Sequence, residues 1–137
     1  MESGQMTPRE RSAACVARIK AVHRAVILSA ESRIDDGLED AVLSDASIQS
    51  IADAGEMIGD PTEYAALILE RILVNHPFVD GNKRTALAVA LYFLETTGYT
   101  LPDTEDVYRY LREIAMGIHE KDDIVVWMES VKVRIPR

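Results

Sequence analysis

The sequence predicts an all-α protein, because apolar residues recur at helical spacing and helix-start signals come before those runs. Residues 7–10 read Thr-Pro-Arg-Glu, a capping-box pattern with proline at the first helical position. Residues 60–63 read Asp-Pro-Thr-Glu and repeat the signal. The one short extended piece expected is residues 99–101. We therefore expect a compact bundle of about six helices around a central apolar helix.

The first 75 residues are expected to form three of these helices. The apolar positions of the first helix are Val16, Ile19, Val22, Val26 and Ile27. A polar stretch near residues 29–40 contains Gly37 and lacks helical periodicity, which predicts an exposed flap or small hairpin. The apolar positions of the second helix are Ala46, Ile48, Ile51, Ala54 and Ile58, with an end near Gly59. Those of the third helix are Leu67, Ile68, Ile72 and Leu73.

The most apolar segment runs from Asn82 to Thr97, so we expect it to be the central helix and to end at Gly98. A further helix should begin at Asp103 or Thr104 and end at Gly117. The apolar positions of the last helix are Ile124, Val125, Trp127 and Met128. We expect one domain over residues 1–137, with N-terminal helices and flap in 1–60, a motif-bearing core in 61–130 and a basic tail in 131–137.

Composition excludes several classes of function. The chain has 137 residues and a net charge of −8, and an acidic protein is a poor partner for nucleic-acid backbones. A single cysteine, Cys15, lies on an apolar helix face and is expected in the core. No apolar run approaches the roughly 20 residues of a membrane span. We therefore expect a cytoplasmic protein that binds neither nucleic acid nor membrane.

The stretch with the most chemistry is residues 76–84, which read His-Pro-Phe-Val-Asp-Gly-Asn-Lys-Arg. It immediately precedes the most apolar segment, so it should be a loop that feeds a helix N-terminus, where free amides and the helix dipole attract phosphate. Gly81 lets the backbone approach an anion, Asn82 can donate to a phosphate oxygen, and Lys83 and Arg84 add cationic donors. The stretch therefore predicts a phosphate site.

His76 and Asp80 supply the reactive groups of this stretch. A neutral imidazole can accept the proton of a hydroxyl nucleophile, and a carboxylate is a ligand that Mg²⁺ prefers. Asp80 could also cap the following helix. Phe78 is expected to anchor the loop in the core. The other two histidines, His23 and His119, have no motif around them and are expected to be structural.

The stretch resembles the signature of the Fic/Doc (Fido) family, H-P-F-x-D/E-G-N-G/K-R. The resemblance covers Pro61 to about Ser130 and is weaker before that. It implies the helical Fido fold and a transferase that uses ATP and Mg²⁺. It also implies His76 as general base, Asp80 as magnesium ligand, and a phosphate site formed by residues 81–84.

Two positions are similar to the death-on-curing (Doc) branch. Lys83 stands where Fic enzymes usually have glycine, and Leu87 stands where adenylylating members usually have a second arginine. Gly81, by contrast, is the general Fic residue. The Doc resemblance implies a toxin that transfers phosphate to a Ser/Thr hydroxyl of translation elongation factor Tu. The alternatives are a Fic-type adenylyltransferase with the same site and a helical binding module without activity.

The resemblance also has implications for partners and regulation. The family places its target-binding flap where this chain has Arg33, Ile34, Asp35, Asp36 and Gly37. Residues 32–37 loosely resemble the inhibitory motif of Fic proteins, S/T-x-x-x-E-G/N, with aspartate in place of glutamate. We interpret them as flap sequence. A toxin that does not restrain itself needs a separate antitoxin chain, which is therefore an expected partner.

Overall fold

The computed structural model describes residues 6–29 and 42–136, which contain six α-helices and two short β-strands. The helices are α1 (Pro8–Ser29), α2 (Asp45–Ala54), α3 (Pro61–Asn75), α4 (Asn82–Glu95), α5 (Glu105–Ala115) and α6 (Lys121–Val131). The strands are β1 (Tyr99–Thr100) and β2 (Val133–Arg134). The all-α prediction is confirmed. Apart from Ser29, which ends α1, the predicted flap near residues 29–40 lies outside the described residues, and so do all the flap residues named above.

The central helix of the bundle is α3, which packs against α2, α4, α5 and α6. Its buried residues are Thr62, Ala65, Ala66, Leu67, Ile68, Leu69, Ile72 and Leu73. The prediction that the segment beginning at Asn82 is central was wrong. That segment, α4, packs against α3, α1 and β1 and leaves Tyr92 exposed. α3 is also the more apolar of the two helices over its full length, because the first turn of α4 carries Asn82, Lys83 and Arg84.

Side chains cap most of the helix starts as the sequence predicts. Thr7 and Glu10 form the expected capping box, with the Glu10 carboxylate accepting from the Thr7 amide at 2.8 Å. At α3, an Asp60 carboxylate oxygen accepts from the Thr62 amide at 3.2 Å. At α5, the Thr104 hydroxyl accepts from the Val107 amide at 3.4 Å. These bonds satisfy donors that a helix N-terminus otherwise leaves unpaired.

The chain beyond α6 is tied to the body by the small antiparallel sheet. β1 pairs with β2, and the Ile135 amide donates to the Gly98 carbonyl at 3.0 Å. The Lys132 ammonium and the Arg134 guanidinium lie over the Tyr99 ring, at 4.2 and 5.1 Å from its centroid. The extended piece predicted at residues 99–101 therefore contains strand β1, whose Tyr99 holds part of the basic tail by cation–π contacts.

Two helices end before the glycines that the sequence indicated. α2 ends at Ala54 and is capped by Gly55, four residues before Gly59. α4 ends at Glu95, and a turn leads to Gly98, which has a φ of 90°. Position 55 accommodates only glycine for a steric reason, because a Cβ atom there would lie 2.4 Å from Cε1 of Tyr64. The Tyr64 ring also stacks on Phe93, so it has little freedom to move away.

Of the helices in residues 6–29 and 42–136, none combines the length and the hydrophobicity that crossing a bilayer requires.

Gly55 and Gly59 form a matched pair for testing this packing. Gly55→Ala should lower the free energy of unfolding by about 1–3 kcal/mol, because the new methyl group overlaps the Tyr64 ring. Gly59→Ala is the control, since a Cβ atom there meets nothing within 4 Å, and it should change stability by less than about 1 kcal/mol. Urea unfolding followed by circular dichroism measures both. Equal stabilities for the two variants would contradict the packing around Gly55.

Candidate active site

The loop between α3 and α4 begins at a residue with strained backbone. His76 caps α3 in the left-handed conformation, with φ 50° and ψ 63°, and its amide donates to the Ile72 carbonyl at 3.0 Å. Among the described residues it is the one non-glycine residue with positive φ. That conformation costs on the order of 1–3 kcal/mol and is common where function needs a fixed side-chain direction. The His76 side chain is exposed.

The loop is held to the core by Phe78 and Asn82. Phe78 is 1% exposed, and its ring lies parallel to the His23 ring, with centroids 3.7 Å apart. The Asn82 side chain closes the loop on the Phe78 backbone, accepting from the Phe78 amide at 3.1 Å and donating to the Phe78 carbonyl at 2.9 Å. Phe78 also forms an isolated antiparallel bridge with Val42. These contacts give the loop a defined shape.

Helix α4 begins without the cap that the other helix starts described above have. Its N-cap is Gly81, at φ 80° and ψ 13°, and no side chain of the described residues bonds to the first-turn amides there. Positive φ favours glycine, because a side chain in this region is sterically disfavoured. Gly81 supplies no capping atom, so the amides at the start of α4 remain available to an external acceptor.

A pocket of about 350 Å³ opens over this helix start. It is lined by His76, Val79, Asp80, Gly81, Asn82, Lys83 and Arg84. The structure thus brings together every residue proposed from the sequence for catalysis, metal binding and phosphate binding. Val79 was not predicted. It is 50% exposed in the variable position of the signature, where no chemical property marks it.

The electrostatics of the pocket favour an anion. Lys83 and Arg84 are exposed in the first turn of α4, and neither forms an ion pair with another residue of the described ranges. Cations at a helix N-terminus oppose the helix dipole, so this arrangement slightly destabilises the start of α4 when no anion is bound there. The Asp80 carboxylate is exposed beside them and offsets one of the two charges. An incoming phosphate would meet two cations, backbone amides and the dipole together.

Asn82 has a structural role that the sequence did not predict. The sequence predicted that it donates to a phosphate oxygen, and its carboxamide is engaged with both polar atoms of the Phe78 backbone. A carboxamide has two N–H donors, and one remains after the bond to the Phe78 carbonyl. Contact with phosphate is therefore still a prediction, and bracing of the loop is what the structure shows.

The remaining candidate residues lie elsewhere, as expected. Cys15 is 4% exposed, and burial raises the pKa of its thiol, which disfavours a nucleophilic thiolate. The His119 Nε2 atom lies 2.7 Å from a Glu113 carboxylate oxygen, and its ring stacks on Tyr110. Neither Cys15 nor His119 lines the pocket at His76.

His23 is the site-supporting residue that sequence reasoning missed. It was expected to be structural, and it is buried, but its ring contacts Phe78 and Asp80 in the loop between α3 and α4. The available signal was its spacing. His23 lies one helical turn from both Ile19 and Ile27, which places a polar ring on the buried face of α1 and implies a hydrogen-bond partner.

No protein cage for a metal exists among the described residues, since no group of three or more His, Cys, Asp or Glu side chains converges there. Mg²⁺ does not need such a cage, because it is commonly held by one or two carboxylates together with nucleotide phosphates and water. The exposed Asp80 carboxylate at the rim of the pocket fits that mode.

The class of this protein is given by comparison with known families, and the all-α fold is consistent with it. Residues 13–94 match the model of the Fic/DOC family, so the chain belongs to that family. A 65-residue segment is 40% identical to the Toxin Doc of Mycolicibacterium smegmatis. That segment covers 45% of this chain and 50% of the relative, so the match spans about half the length of each protein. The name of this relative agrees with the Doc resemblance of the sequence.

The proposed anion site at the start of α4 can be tested by removing one of its cations. Arg84→Gln should leave the free energy of unfolding unchanged or raise it by about 0.3–1 kcal/mol, because it removes a charge that opposes the helix dipole. It should also reduce the stabilisation that inorganic pyrophosphate gives to the parent protein. Urea unfolding with and without pyrophosphate, at constant ionic strength, measures both effects.

Arg109→Gln is the matched control for this experiment. Arg109 is exposed on α5 and pairs with Asp106 at 2.8 Å, so its loss should lower stability by less than about 1 kcal/mol. The effect of pyrophosphate should remain as in the parent. Equal pyrophosphate stabilisation of the parent and Arg84→Gln would contradict an anion site at α4.

Proposed function

We propose that this protein is a Doc-like toxin that transfers a phosphate from ATP to a Ser/Thr hydroxyl of a protein target. The observation that supports this most is an exposed histidine beside the uncapped, cation-bearing start of α4. The similarity to a protein named Toxin Doc supports the toxin role. Translation elongation factor Tu is the target that we propose, on the ground of the Doc resemblance.

The proposed reaction forms one O–P bond and breaks another. The target hydroxyl attacks the γ-phosphorus of ATP, its proton passes to His76, and ADP leaves. His76 is suited to this role because its imidazole is exposed and lines the pocket. The α4 amides and the Arg84 guanidinium would stabilise the charge on the transferred group. Lys83 would add a mobile positive charge next to them.

The choice of phosphate over AMP rests on two residues. Lys83 lies in the pocket where general Fic enzymes have glycine, and an ammonium there would pair with a phosphate oxygen. Leu87 is half-buried against the core one turn further along α4, where adenylylating members usually have a second arginine. Arg84 is the one arginine among the described residues that line the pocket, so the site is better supplied for holding a single transferred phosphate. AMP transfer by the same residues is the second candidate.

Mg²⁺ is proposed as the metal, with Asp80 as its protein ligand. When bound, the ion would neutralise charge on the nucleotide phosphates. Asp80 lies directly before the N-cap of α4, so its carboxylate would hold the ion beside phosphates that contact the helix start. A separate antitoxin chain, suggested by the Doc similarity, completes the proposal.

The role of His76 is best tested with asparagine, which tolerates left-handed backbone and so preserves the end of α3. His76→Asn should reduce labelling of purified elongation factor Tu by about 10²–10⁴-fold, because it removes the proton acceptor. Its unfolding free energy should stay close to that of the parent. His119→Asn is the control and should label normally, since His119 lies outside the pocket.

The transferred group and the metal are tested in one labelling series. ATP labelled at the γ-phosphate should mark the target, and ATP labelled at the α-phosphate should not. EDTA and Asp80→Asn should each lower labelling strongly, because both remove the proposed magnesium. Label from the α-phosphate would establish the adenylyltransferase instead. If neither label appears in the elongation factor or in a cell lysate, the protein is better described as a binding module.

A further inference from the structure

His23 lies on α1, 57 residues before Asp80 in the sequence, and contacts the loop of residues 76–81 that joins α3 to α4. It is 1% exposed, so its ring is removed from water and from any ligand in the pocket. Its Nε2 atom lies 2.8 Å from the Asp80 carbonyl oxygen. The same ring stacks on Phe78, tilted by only 6°. One buried side chain therefore contacts two residues of the loop.

The hydrogen bond determines the tautomer of His23. A carbonyl oxygen is an acceptor only, so the imidazole must carry a proton on Nε2 and donate it. The Asp80 carbonyl is thereby held toward α1, while the Asp80 side chain remains exposed at the pocket. A buried hydrogen bond of this kind resists rotation of the peptide group that follows Asp80, and that peptide group leads into Gly81.

α1 also restricts the space available at Gly81, the residue after Asp80. A Cβ atom built on Gly81 would lie 2.9 Å from Cδ1 of Ile27 and 3.5 Å from Cδ2 of His23. The backbone therefore passes close to α1 at the point where its positive φ directs it into α4. His23 thus contacts loop positions 78 and 80, and Ile27 and His23 together leave no room for a side chain at position 81.

We infer that His23 is a positioning residue for the proposed transfer reaction, and this inference rests on the proposed function. By holding the Asp80 carbonyl, it fixes the turn that presents the Asp80 carboxylate and the first amides of α4 to a magnesium–nucleotide complex. It is not a catalytic residue, because it does not line the pocket. Its effect is pre-organisation of the loop before the nucleotide binds.

Two substitutions separate the hydrogen bond from the packing. His23→Phe keeps an aromatic ring of similar shape against Phe78 and removes the donor. His23→Gln loses the ring and keeps an N–H donor at a similar reach. Ile19→Val, one turn away on the same buried face of α1, is the control for a core change that leaves the hydrogen bond in place.

Affinity for Mg²⁺·ATP, the KM and kcat of labelling, and the ¹³C shift of the Asp80 carbonyl without nucleotide are measured for all four proteins. His23→Phe should shift the Asp80 carbonyl and weaken Mg²⁺·ATP binding by about tenfold, which corresponds to loss of one buried hydrogen bond. His23→Gln should recover most of that affinity. Ile19→Val should bind as the parent does, whatever its stability.

The outcomes distinguish this inference from the proposed function. If the parent binds Mg²⁺·ATP but labels no protein, the transferase proposal fails, and the affinities and carbonyl shifts still decide the role of His23. Parent-like binding and an unchanged Asp80 shift in His23→Phe would overturn the positioning role. Equal loss of binding in His23→Phe and Ile19→Val would overturn it too, because the effect would then follow core packing. Absence of Mg²⁺·ATP binding by the parent would overturn both proposals.

Discussion

The site depends on how the chain enters α4. The helix begins at Gly81 in a left-handed conformation, so its first amides have no side-chain cap from the described residues. Two cations follow in the first turn and increase the local positive charge. This arrangement destabilises an empty helix start and becomes favourable when an anion binds there. The arrangement that lowers the stability of this helix start therefore also favours the binding of an anion there.

The rest of the fold keeps this helix start rigid. The loop runs between two left-handed residues, His76 at the end of α3 and Gly81 at the start of α4, so both of its ends have a defined direction. Phe78 fixes its middle in the core. The two flanking helices pack on each other, and α1 packs on α4, so the loop is carried by the body of the protein. A site built this way needs little reorganisation when a ligand enters.

Local features of the fold and site could be predicted from the sequence, and features that depend on distant neighbours could not. The capping box at Thr7 and the helix start at Asn82 follow from residues close together in the chain. The contact of His23 with Asp80 joins residues 57 positions apart, and no local pattern contains it. The central position of α3 likewise depends on four packing partners, which a single amphipathic pattern cannot count. The group transferred in the proposed reaction would depend on the orientation of bound ATP, which no local sequence pattern encodes.

We propose that nucleotide phosphates bind at the start of α4, and backbone NMR during titration with Mg²⁺·ATP detects that binding residue by residue. The largest ¹⁵N and amide-proton shifts are expected at residues 82–84, because those amides would point toward the phosphates. The larger cavity lined by Arg9, Ser12 and Asp53 lies elsewhere and should show little change. Strong shifts at that cavity, with residues 82–84 unaffected, would show that the nucleotide does not bind at the start of α4.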